Sequence, residues 1–279
     1  MINLRNLRAA AFVPVLLLFA GCGGKMSDTP RATESVLSKV SPEAWKRLSS
    51  QRIYFGHQSV GYNIVSGIED LQRTNPAIRL ELMEARDAAS VERPAFAHSK
   101  VGKNKVPKDK LVDFAAIMNG GLGGKVDLAG FKFCYIDFNA KTNVDELFAE
   151  YRTTAAGLKA AYPATRFVHF TVPLTVVQGG PKAWIKQVMG KPLWGAAENV
   201  KRNQFNEMLR REYSGKDLVF DLAQWESTFP DGSRRSFTSG GKTYYALVDA
   251  YASDGEHLNG PGRQWVAAHL LADLANWAK

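Results

Sequence analysis

The chain has 279 residues, 45% hydrophobic and 11% aromatic, enough to bury one large core or a domain with insertions. Lys and Arg number 36 against 27 Asp and Glu, a formal charge of +9 that suits anionic lipid surfaces or acidic glycans. No stripe alternates basic with aromatic residues, so nucleic acid is not an expected partner. One of the two cysteines, Cys22, lies near the start and only Cys134 falls later, so the core must hold without an internal disulfide.

The opening "MINLRNLR" carries Arg5 and Arg8 and no acid, and "AAAFVPVLLLFA" is an apolar run of signal-peptide length, short of a membrane span. Small residues Ala20 and Gly21 stand directly before Cys22. This resembles a bacterial lipobox, with Phe19 where leucine is usual. The resemblance implies removal of residues 1–21 and lipid on Cys22, anchoring the protein in the cell envelope. Gly23 in place of an acid favours the periplasmic face of the outer membrane over the inner membrane. An ordinary secretory signal is the alternative. Residues 22–40 are mostly small and polar and are expected to form a tether, with the domain at 41–279.

The domain opens with "SPEAWKRL", where Ser41 is a helix cap and Pro42 the first helical residue. A strand is expected at 52–56, then a helix with Val60, Ile64, Val65, Ile68 and Leu71 on one face. "IRLELME" alternates Ile78, Leu80 and Leu82 with charges. "HSKVGKNKVPKDK" clusters Lys100, Lys103, Lys105, Lys108 and Lys110, either a solvated loop or a substrate funnel. "PKDKLVDFAAIM" predicts a helix, "FKFCYID" (131–137) a strand with Cys134 buried in it, and "NVDELFAEYRTTAAGLKAAY" a helix. "TRFVHFTV" is a strand, 173–195 a loop excursion, "AENVKRNQFNEMLRREY" a helix and "DLVFDL" a short strand. A hairpin turning at Gly240-Gly241 and a final helix in "PGRQWVAAHLLADLANWA" complete the chain. Strands and helices that alternate in this way predict a parallel sheet of about five strands between two helical layers, an α/β three-layer sandwich. Sites in such sheets form outside the carboxyl ends of the strands.

Two stretches carry the chemistry. In "RIYFGHQSVGYNIVSG", Ser59 sits on a sharp strand-to-helix turn, either a nucleophile or a plain helix cap. In "YASDGEHLNGPG", Asp254 and His257 stand three apart before the last helix. A tight loop would let the acid hold the imidazole by its δ nitrogen and leave the ε nitrogen to take a proton from a serine. Helix N-terminal geometry after Ser59 would favour developing negative charge at its backbone N–H.

Together these stretches resemble the SGNH (GDSL-like) hydrolases, from about residue 50 to the end, with "DGEHLNGPG" the most specific part. His57-Gln58-Ser59 replaces the family's Gly-Asp-Ser. The resemblance implies a flavodoxin-like SGNH fold and a Ser59–His257–Asp254 triad, with an oxyanion held by the Ser59 and Gly102 backbone N–H groups and the Asn139 side chain. Asn104 and the glycines of "NGGLGG" are rivals to Gly102. His57, Gln58, His98 and Asn104 are possible substrate contacts, and His57 is the rival base.

His169 is expected in the core, and Trp184, Trp194 and Trp225 fall in or beside loops, where they either pack or stack on sugar rings. No histidine spacing suggests zinc, and the chemistry requires no metal or organic cofactor. The expected activity is serine-dependent hydrolysis of acyl esters, acetyl groups on a glycan above all. The alternatives are an O-acyltransferase acting on an envelope polysaccharide and a non-catalytic envelope binding lipoprotein.

Overall fold

The computed structural model of the protein describes residues 28–278. The expected signal (1–21) and lipidation residue Cys22 lie outside them. No helix among the described residues is long and apolar enough to cross a membrane.

The main sheet is parallel, with strands β1 (Arg52–His57), β2 (Leu82–Glu84), β3 (Ala95–Lys100), β4 (Leu128–Phe131), β5 (Arg166–Phe170) and β6 (Leu218–Phe220). Their spatial order is β2-β3-β1-β4-β5-β6. Without the short edge strand β2 this is the flavodoxin-like order, with β1 as the point where the winding reverses. One helical layer contains α1 (Thr29–Leu37), α2 (Pro42–Ser49), α3 (Val60–Thr74), α8 (Leu222–Ser227) and α9 (Gly260–Trp277). The other contains α4 (Pro107–Asn119), α5 (Val144–Ala161) and α7 (Ala196–Tyr213). Alternation along β1 serves both: Ile53 and Phe55 face the first layer and Tyr54 the second. Helix α6 (Gly180–Val188) and the hairpin β7 (Ser236–Ser239)/β8 (Lys242–Tyr245) form a smaller apolar cluster beside the sheet.

Local signals set several boundaries. The Ser41 hydroxyl accepts the Ala44 N–H at the start of α2, and Asn143 and Asn259 cap α5 and α9 in the same way. α3 and α9 pack closely side by side. A Cβ on Gly67 would lie 2.3 Å from the Arg263 carbonyl oxygen, and Arg263 Nε donates to Asp70 over 2.7 Å.

Four expectations need correction. Residues 29–37 are not tether: Thr29, Thr33 and Leu37 are buried and α1 lies against α9. The sheet has six strands rather than about five, because "AFAHSK" is β3. The strand expected at 131–137 lies at Leu128–Phe131, and Tyr135–Asp137 is a 3-10 turn braced by Asp137 Oδ2 accepting the Cys134 N–H at 2.7 Å. The excursion 173–195 contains α6.

Candidate active site

All six strands of the sheet run the same way, so their carboxyl ends share one edge. β1 delivers Ser59 there, and the loop before α9 delivers Asp254 and His257. Ser59 Oγ is 2.5 Å from His257 Nε2, and His257 Nδ1 is 2.7 Å from Asp254 Oδ2. Asp254 Oδ1 also accepts the backbone N–H groups of Glu256 and His257 at 2.9 and 2.8 Å. This turn places the acid against the imidazole. Burial opposes ionisation of Asp254, but these donated N–H groups outweigh it and bring its pKa to about 2.

Ser59 caps α3 with φ 50° and ψ −109°. Such a backbone is strained for any residue but glycine and holds the hydroxyl off the helix, which has no side-chain cap bond. The hydroxyl is therefore free for His257. The Ser59 and Val60 N–H groups open the helix and lack intrahelical acceptors.

The remaining expected residues are not in the site. The Gly102 N–H donates to Asp113 Oδ2 at 2.7 Å, so it does not serve an oxyanion. Asn139 is turned outward, its Oδ1 accepting the Lys141 N–H at 2.8 Å. It lies beyond the 3-10 turn that carries the chain away from β4. His57 is fully buried beneath Gly61 and paired with buried His98, Nε2 to Nδ1 at 3.0 Å. Burial, then the charges of Lys132, His98 and Lys100, bring the His57 pKa to about 2, so it remains neutral and is neither base nor substrate contact. The Gln58 side chain donates to the Gly102 and Val101 carbonyls. Asn104 Oδ1 accepts from Lys110 at 3.0 Å. The lysine cluster is not an open funnel: Lys110 is buried against Asp137, and Lys108 bridges Glu146 and Glu150.

Other residues fill the site. The Tyr135 phenol donates to Glu256 Oε2 at 2.8 Å and lies 3.5 Å from His257 Nε2, its ring edge-on to the imidazole at 5.6 Å. Burial and then the bond to Glu256 raise the phenol pKa, while contact with Ser59 works the other way, so Tyr135 keeps its proton. Buried Arg202 fixes the same residue by donating to the Tyr135 carbonyl at 3.0 Å. Lys132, 1% exposed, donates to the Gln58 carbonyl at 2.8 Å. Trp194 is 57% exposed, and its ring would lie 3.7 Å from a Cβ on Gly255, over the loop that carries Asp254 and His257. Lys132 and Tyr135 stand in a run that reads as an apolar strand, which hides them; a lysine inside such a run is the one available signal. Among the described residues no group of three or more His, Cys, Asp or Glu side chains is placed to hold a metal.

No protein-family model matches the chain, and no curated protein matches it in sequence. Among solved structures it is similar to a carbohydrate esterase family 3 protein from Talaromyces cellulolyticus, at 13% identity and TM-score 0.45, covering 81% of this chain and 96% of that one. It is similar to the periplasmic domain of a lipopolysaccharide acetyltransferase from Salmonella ser. Paratyphi A, at 8% identity and TM-score 0.40, covering 78% and 81%. A Clostridium thermocellum family 3 carbohydrate esterase shares 11% identity at TM-score 0.39, covering 82% and 99%.

Proposed function

We propose that the protein is a serine esterase that removes short acyl groups, acetyl above all, from a carbohydrate. The observation that supports the serine mechanism is the unbroken chain from Ser59 Oγ through His257 to Asp254, at 2.5 and 2.7 Å. Ser59 attacks the ester carbonyl as its proton passes to His257 Nε2. The tetrahedral intermediate collapses, and the departing alcohol takes that proton. Water, deprotonated by the same nitrogen, then releases the acyl group as a carboxylate and restores the serine. Asp254 fixes the imidazole tautomer and offsets its positive charge.

The oxyanion is met by the Ser59 N–H at the start of α3. The Tyr135 phenol, its O–H turning from Glu256, supplies the side-chain donation expected of Asn139. One such donor is typically worth about 2.7–4 kcal/mol in the barrier. Trp194, exposed beside the triad loop, offers a flat apolar face to a sugar ring. Lipid on Cys22 would hold the domain at the envelope, where acylated glycans are its substrates.

Treatment with a fluorophosphonate probe should modify Ser59, and Ser59→Ala should abolish acetate release from an acetylated oligosaccharide. An adduct elsewhere, or turnover surviving in Ser59→Ala, would overturn the proposal. Acetate release that falls when a sugar acceptor is added, with the acceptor becoming acylated, would assign the same triad to transfer instead of hydrolysis.

A further inference from the structure

Lys132 follows the last residue of β4 and is 1% exposed. Its ammonium meets neutral groups: the Gln58 carbonyl at 2.8 Å, the Phe133 carbonyl at 3.4 Å and Cys134 Sγ at 3.7 Å. Glu226, the carboxyl that feels its field, is itself buried. Burial raises the Glu226 pKa to about 8, against the opposing pull of the Leu174 N–H, Lys132 and Arg202, so it is mostly protonated at neutral pH. A core ordinarily excludes an ammonium without a charged partner.

The position of that ammonium gives it a task. The Gln58 carbonyl and the Ser59 N–H belong to one peptide group. Three donors converge on that carbonyl: the Lys132 ammonium, the Gly61 N–H at 3.0 Å and the Cys134 thiol at 3.6 Å. Donation to a carbonyl oxygen draws electron density from the amide nitrogen, so the N–H at the other end becomes a stronger donor. A charged donor does this more strongly than a neutral one.

We infer that Lys132 is a positioning residue for the oxyanion site, holding the peptide between Gln58 and Ser59 in place and polarising the Ser59 N–H toward the negative oxygen that forms on the substrate. The same bond fixes the peptide before Ser59, whose φ of 50° needs support from its surroundings. The inference rests on Ser59 being the nucleophile.

The test uses the full chain with Lys132→Met, which keeps the unbranched shape of the side chain, one atom shorter, and removes its charge, and Lys132→Gln, which keeps a donor. Lys132→Met should lower kcat about tenfold to a hundredfold, less than the roughly 10²–10³ expected for loss of a direct oxyanion donor. KM should change less than about twofold, since the bond strengthens in the transition state. Affinity for an alkyl trifluoromethyl ketone, which forms a tetrahedral adduct on serine, should fall by the same factor as kcat/KM. Lys132→Gln should recover part of the loss. The melting temperature of Lys132→Met should hold or rise, because replacing a buried charge with an apolar side chain of similar shape is often neutral or stabilising.

A role confined to supporting the fold would instead lower the melting temperature and the fraction of fluorophosphonate-reactive sites, with kcat per reactive site unchanged. That result would overturn the inference while Ser59 labelling upholds the esterase proposal. Failure of the wild-type protein to label at Ser59 would overturn both.

Discussion

His57 lies directly beneath Gly61: a Cβ on the glycine would sit 2.3 Å from both Cβ and Cγ of the histidine. The strand therefore passes under the first turn of α3 at a separation only glycine permits. The His57 ring has little room to yield, being tied to His98 at 3.0 Å and set edge-on to Tyr62 at 4.6 Å. Gly61→Ala should lift the start of α3, and Ser59 with it. Overpacking of this kind typically removes about 1–3 kcal/mol of stability, and kcat should fall as the hydroxyl leaves His257. Urea unfolding and steady-state kinetics check this; wild-type values in both would show that the turn can relax.

Asn139 and Tyr135 separate two accounts of the oxyanion site. The Asn139 side chain is exposed and accepts the Lys141 N–H, so Asn139→Ala should leave kcat within about twofold. Tyr135→Phe keeps the ring against His257 and removes only the hydroxyl. It should lower kcat by about tenfold or more, up to the roughly 10²–10³ seen for a direct donor, with the melting temperature little changed. A large loss in Asn139→Ala alone would reverse the assignment.

Glu226 should impose a pH dependence on stability. Its ordinary pKa of 4.5 is raised to about 8 in the fold, with burial the largest cause. Unfolded, the carboxyl loses its proton near its ordinary value; folded, it keeps it until about pH 8. The unfolded chain therefore binds fewer protons between those limits, and stability falls as pH rises through that window, by up to about 1.4 kcal/mol per pH unit from this group. Glu226→Gln can still accept the Leu174 N–H, which Glu226 Oε2 takes at 2.7 Å, and should flatten the decline. Unfolding of both proteins at pH 5 and pH 8 checks the sign: an equal decline in the two would assign the dependence elsewhere.

Ser59, Asp254 and His257 were legible in the sequence because each stands in a local pattern, although the meeting of Ser59 with His257, 198 residues apart, is made by packing. Ser59 ends a short apolar run before a helical period, and the spacing of Asp254 and His257 fits a turn in which one carboxylate accepts both backbone and ring N–H groups. Much of the layer order followed from alternation of strand and helix. β3 was hidden because its residues, Ala95 to Lys100, are small or polar apart from Phe96, although five of the six are buried; strand centres covered on both faces lose the alternation that marks an amphipathic strand. Gly102 failed as a donor through Asp113, a partner set by tertiary packing. Asn139 failed because the 3-10 turn at Tyr135–Asp137 redirects a chain whose apolar pattern suggests continued strand. Lys132 looked like one charge in that run, and only its burial beneath Gln58 gives it meaning.

The seam between α3 and α9 reaches the site through Asn63, whose Oδ1 accepts the N–H of Leu258, the neighbour of His257, at 3.2 Å. Ser59 begins one of these rods and His257 precedes the other. The distance between the Ser59 hydroxyl and the His257 imidazole is therefore gauged by how deeply the two rods nest where Gly67, about two helical turns into α3, meets Arg263. A side chain added at that depth would act as a wedge, parting Ser59 from His257 without touching either residue.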